Sequence, residues 1–149
     1  MKRVGRKAVI LLFGLLVVSG AVAFGQVYKY YTPGSIWTVT TIRVVPGMDQ
    51  AYFQYLDAGF KKESDALVQA GFMKSYKILR TLDDNGASWN MLILREYASL
   101  ADFEKNTEKA DAKSREVSGS DEMAMKGYDD RAKIREVLGT RTARELRLK

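Results

Sequence analysis

The chain reads as an α+β domain with one antiparallel sheet and its helices on one face, on three observations. A β-branched run at residues 36–45 is closed by Pro46 and Gly47 and followed by a long amphipathic stretch at 48–70. Two more alternating runs, 72–82 and 87–97, flank Asp83, Asp84, Asn85 and Gly86, short polar residues ending in a glycine that tolerates positive φ, which signals a hairpin. A helical stretch opening at Ser99, a further helix and an alternating tail at 140–148 complete the order β-α-β-β-α-(α)-β.

Residues 1–23 read as a signal peptide. Lys2, Arg3, Arg6 and Lys7 make a basic start, 8–18 is apolar apart from Gly14, and Ala21 and Ala23 occupy the small-residue positions before a cleavage site. Cleavage before Gln26, using Ala23 and Gly25, is a second option, and an uncleaved inner-membrane anchor through residues 8–24 is the alternative. That run is short and diluted by Gly and Ser for about 30 Å of hydrocarbon. The expected address is therefore outside the cytoplasm, periplasmic or secreted, with no membrane contact after cleavage. Residues 24–35 form a tyrosine-bearing lead-in with a turn signal at Pro33 and Gly34, either an edge extension or an arm, and 36–148 form one domain.

Charge and composition remove several functions. The chain carries 24 basic and 18 acidic residues; without the four basic residues of the leader, 20 face 18, a net charge of +2. Nucleic-acid binding needs a concentrated basic face, so no nucleic-acid partner is expected. There is no Cys, so stability has to come from the core. There is no His, which removes the usual general base, metal ligand and haem ligand together. No metal and no cofactor is expected.

The elements follow from local pattern. In the first strand Ile36, Thr38, Thr40, Ile42 and Val44 share one face, and Trp37, Val39, Thr41, Arg43 and Val45 the other. Asp49 suits a helix start. Along 48–70, Tyr52, Phe53, Leu56, Phe60, Leu67 and Ala70 form an apolar face opposite Gln54, Asp57, Lys61 and Asp65. Gly71 suits the position after the helix and Phe72 the one that follows. At 100° per residue Glu63 falls inside that apolar face, where a carboxylate needs a partner, solvent or a raised pKa; Arg43, Arg80 and Arg95 are its candidate partners. The centre of the third strand, Met91 to Leu94, is apolar on both faces and calls for cover on both, one by helices and one by a partner's sheet. Ser99 reads as an N-cap with Asp102 in a capping-box position. The run 104–116 reads as a solvated face, Ser118, Gly119 and Ser120 as a break, and 121–138 as a third helix held by Met123, Tyr128 and Ile134. Alternation explains the basic tail (Arg141, Arg144, Arg147, Lys149) as well as an anionic surface does.

The order of elements is ferredoxin-like. VVPGM before the long helix, AGF leading into YKILRTL, and SWNMLILREYASLADFE running from strand to helix resemble the dimeric α/β-barrel superfamily over about residues 36–148. That superfamily includes antibiotic-biosynthesis-monooxygenase-like, stress-responsive and haem-degrading domains, and the chain looks most like its secreted, functionally uncharacterised bacterial members. The resemblance implies a homodimer whose sheets pair into a barrel, with a cavity between sheet and helices in each subunit. The haem-degrading branch uses an Asn, a Trp and a His; Asn90 and Trp89 are here, and the His is not.

Two functions are expected from these residues. One is binding of a small apolar or aromatic molecule without catalysis, with Tyr52, Tyr76, Arg80 and Trp89 as the candidate ligand-binding residues. The other, implied by the resemblance, is a cofactor-independent monooxygenase acting on an aromatic or quinol substrate, with Glu63, Trp89 and Asn90 as candidate catalytic residues. Residue types alone do not decide whether the protein is an enzyme.

Overall fold

Strand β1, Tyr31–Val44, is the central scaffold of the computed structural model, which describes residues 29–83 and 88–149. After it come helix α1 (Asp49–Tyr55), a π-helical turn (Leu56–Phe60), α2 (Lys61–Gln69), β2 (Ser75–Arg80), β3 (Met91–Tyr97), α3 (Leu100–Ser118), α4 (Asp121–Ile134) and β4 (Arg135–Leu148). The sheet order is β2-β3-β1-β4. β3 runs antiparallel to both β1 and β2, with Val39 opposite Leu94 and Lys77 opposite Leu94. The β1–β4 contacts also run in opposite directions, from Val45 N–H on the Ile134 carbonyl to Thr41 Oγ1 on the Gly139 carbonyl. Four antiparallel strands in this order, with helical crossovers on one face, make the fold ferredoxin-like.

The core lies between that face and the first helical run. Ile42 and Val44 of β1 and Met91 and Ile93 of β3 pack with Tyr52, Leu56 and Phe60. Burying such a side chain contributes roughly 1.5–3 kcal/mol. Residues 29–34 and Leu146–Lys149 belong to a separate compact unit, in which the Lys149 N–H donates to the Tyr30 carbonyl at 3.1 Å. The leader (1–23), the start of the lead-in (24–28) and most of the hairpin signal (84–87) lie outside the described residues.

Several sequence expectations change. Pro33 and Gly34 do not turn; they lie inside β1. Pairing with β3 ends at Ile36, so the missing N–H of Pro33 breaks no bond to β3. The third strand begins at Met91, with Ser88, Trp89 and Asn90 ahead of it rather than in it, and residue 87 lies outside the described residues. The last helix stops at Ile134 rather than 138, because its carbonyl accepts from Val45 N–H at 3.0 Å and Arg135 is already extended at φ −150°, ψ 156°. Pairing with β1, including the Arg43–Glu136 ion pair, outweighs the helical propensity of the charged run. Met123 and Tyr128 do not anchor α4, being 55% and 66% exposed; Ile134 does pack on the core. The Ser99 cap forms as expected, its hydroxyl oxygen accepting from Asp102 N–H at 3.0 Å. Gly119, at φ +93°, ends α3 in the break between the two helices.

The π turn alters the long helix most. Steps of i,i+4 drift by about 40° each in a regular α-helix. The wider turn at Leu56–Phe60 absorbs that drift, so Tyr52, Leu56, Phe60 and Ser64 stay aligned toward the core. Gly59 lies in this turn, where a Cβ would sit 3.2 Å from the Tyr55 ring. Ser64 is accordingly fully buried and Glu63 lies at the flank, while Phe53, ahead of the turn, and Ala70, just past the end of α2, are exposed rather than on the apolar face.

Candidate functional site

Alternation along β3 points Met91, Ile93, Arg95 and Tyr97 toward the helices. The first two fill the core. At the other two the packing opens into a cavity of about 190 Å³ between β3, α2 and α3. Leu67 on α2 and Phe72 and Met73 just beyond it form one wall; Tyr97 and Phe103 form another, in edge-to-face contact with ring centroids 4.7 Å apart.

Three charged groups line this space: Glu63, Arg95 and Asp111. The Glu63 carboxylate accepts from Ser114 Oγ at 3.0 Å, which joins α2 to α3. Asp111 is exposed. Arg95 is half-buried with its guanidinium 5.2 Å from the centre of the Phe60 ring, and its Nε is buried without a hydrogen-bond partner among the described residues. The site therefore combines an aromatic box, one guanidinium that no carboxylate pairs with among the described residues, one carboxylate bonded to Ser114 and one exposed carboxylate. That arrangement suits a ring with a polar group at one end.

The sequence-predicted residues are spread over the molecule. Glu63 lines the cavity, beside Arg95 and away from its other two candidate partners, since Arg43 pairs with Glu136 and Arg80 with Asp49. Tyr76 and Arg80 come together in a second, more open groove of about 360 Å³ with Phe53, Phe60 and Ile78. There Tyr76 Oη donates to Asp65 at 2.8 Å and packs edge-on against Phe60, while Arg80 lies 5.1 Å from the Phe53 ring centre. Burial, then the bond to Asp65, raises the Tyr76 pKa; bonds from Lys61 and Tyr76 hold Asp65 below the usual carboxylate range. Tyr52 is fully buried in the core and accepts from Arg135 at 3.1 Å; burial raises its pKa more than Arg135 lowers it. Asn90 is tied into the sheet end: its Oδ1 accepts from Val44 N–H at 2.9 Å, its N–H donates to Ile42 and its carbonyl accepts from Thr81, both at 3.0 Å. Trp89 is 37% exposed and lines neither the cavity nor the groove.

Sequence reasoning missed the contribution of α3. The run 104–116 is not solvated all round: Asn106, Ala110 and Ser114 are half-buried and line the cavity with Phe103 and Thr107. Their helical spacing (103, 107, 110, 114) is a signal that the surrounding charges obscured.

The chain matches no protein-family model and no curated protein. Among solved structures it is similar to a dimeric ferredoxin-like protein from an uncultured marine organism, with TM-score 0.49 and 11% identity over 78% of this chain and 90% of that one. It is also similar to a NIPSNAP family protein with unknown function from Agrobacterium tumefaciens, with TM-score 0.47 and 12% identity over 78% and 90% of the two chains. A dimeric protein of unknown function and ferredoxin-like fold from Bacteroides fragilis gives TM-score 0.43 and 13% identity over 78% and 98%.

Proposed function

We propose that the protein is an exported, homodimeric binding module that holds a small apolar or aromatic molecule without transforming it. The observation that carries this reading is the aromatic-walled cavity between β3, α2 and α3. Most of its walls come from a strand and two helices, with Phe72 and Met73 added by the short connection after α2, which suits a preformed ligand site.

Dimerisation is supported by the face of the sheet turned away from the helices. Val39, Leu94 and Lys77 form one row across it, Thr41, Leu92 and Leu79 the next, and Trp37 lies beside them with Lys77 Nζ 5.5 Å from its ring centre. An apolar sheet face is stable only when another layer covers it. Export rests on the basic start, apolar run and small-residue exit of residues 1–23.

The test is native mass spectrometry of the protein isolated from the envelope of its own cells. The expected species is a dimer carrying a low-mass ligand, which Ala110→Trp eliminates by filling the cavity. A ligand that Ala110→Trp retains overturns the assignment to this cavity. Oxygen uptake with a panel of quinols, abolished by the same substitution, overturns the non-catalytic part and moves the protein to the cofactor-independent monooxygenase class.

A further inference from the structure

Arg95 gives the cavity a polarity that an apolar ligand alone leaves unused. The β3 register places it between Thr38 and Tyr76 on the helix-facing side of the sheet, its guanidinium stacked on Phe60. The Nε atom is buried without an acceptor, and among the described residues no carboxylate pairs with the guanidinium. A buried donor without an acceptor is unfavourable, more so when it carries charge. Neither Glu63, which accepts from Ser114, nor the exposed Asp111 forms an ion pair with Arg95 among the described residues.

Volume narrows the choice further. An engineered apolar cavity of about 150 Å³ in another protein takes one benzene. At about 190 Å³ this cavity matches one ring and a small substituent.

We propose that the ligand is a single-ring aromatic monocarboxylate, its ring against Phe72, Tyr97 and Phe103 and its carboxylate paired with Arg95. The proposal rests on the binding reading above and names the ligand class for that cavity. A guanidinium holds a carboxylate through two parallel N–H···O bonds, geometry that a neutral amide does not reproduce. Glu63 and Asp111 on the same lining disfavour a second negative group, so the site selects against dicarboxylates.

The experiment compares benzoate, benzamide and terephthalate by ligand-observed NMR titration of the ligand-stripped protein prepared from its own cells. The expected result is benzoate bound about tenfold or more tightly than either of the others, the scale of one desolvated charge pair. Arg95→Met, which keeps an apolar stem, is expected to weaken benzoate by the same factor and leave benzamide within about twofold. The wild-type ratio decides the matter even if that variant fails to fold. Equal affinities for benzoate and benzamide, both lost in Ala110→Trp, overturn the carboxylate proposal and leave the binding reading standing. Absence of binding by benzoate, benzamide and toluene alike overturns both.

Discussion

The Glu63 carboxylate accepts a hydrogen bond from the Ser114 hydroxyl at 3.0 Å, linking α2 to α3 at the wall of the cavity across 51 residues of sequence. A carboxylate held at the flank of the apolar face of its own helix thus finds its partner on another helix. The bond restricts how far α2 and α3 can separate, and so helps to set the width of the space that Phe103 and Leu67 enclose.

Ser114→Ala removes the donor and is expected to lower unfolding free energy by about 1 kcal/mol, the usual net value of one such bond. Glu63→Gln keeps an acceptor oxygen and should cost less. Urea unfolding midpoints check both, and a Ser114→Ala midpoint equal to wild type would show that the bond holds nothing together.

Ser64 leads to the opposite sign. It is fully buried, and its Oγ has no hydrogen-bond partner among the described residues. Ser64→Ala removes an unsatisfied hydroxyl and improves helix propensity, so a gain of about 1 kcal/mol is expected in the same unfolding assay. A loss of stability would mean that an acceptor or a water serves that hydroxyl.

Glu96 predicts an acid-side loss of stability. Its Oε1 accepts from Lys74 Nζ at 2.7 Å and its Oε2 from Ser75 Oγ at 2.6 Å, and Lys74 Nζ also donates to Ser35 Oγ at 2.9 Å. The Lys74 bond first, then the bonds from Ser35 and Ser75, lower its pKa from the ordinary 4.5 to about 2. A carboxylate with a depressed folded-state pKa contributes its stability above the unfolded value and loses it as pH falls toward the folded one. The urea midpoint should therefore drop between pH 4.5 and 2, and Glu96→Gln should flatten part of that slope. Parallel slopes in the two proteins would remove Glu96 from the explanation.

Leu94 lies in the middle of the sheet face opposite the helices, beside Val39 and Lys77. Leu94→Lys places a charge there and is expected to turn the proposed dimer into a monomer by light scattering while the far-ultraviolet circular dichroism stays unchanged. A dimer of undiminished stability would direct the search for the interface to another surface.

Local pattern was sufficient for the existence and type of most elements. The β-branched alternation of Trp37 to Val44, the Ser99 cap and the Gly119 break each act within a few residues, so the sequence displays them directly. The boundary at Ile134 was not legible, because the residues after it favour helix by themselves and become strand only by pairing with β1, some ninety residues away. The cavity was half legible: Glu63 stood out as misplaced and Arg95 as a candidate partner, but the α3 stripe that completes the site was hidden among charges.

The sequence by itself determined the order of strands and helices, the antiparallel hairpin logic, and a chemistry without histidine or cysteine. Those depend on composition, period and turn residues, which act locally. Only the tertiary structure decided that Ser64 rather than Glu63 enters the core, that Asn90 belongs to the sheet ladder, and that Arg95 keeps a buried donor free beside an aromatic box. A helical or strand period assigns a side chain to a face. What that face meets is set by the π turn that shifts its phase and by segments packed from elsewhere in the chain.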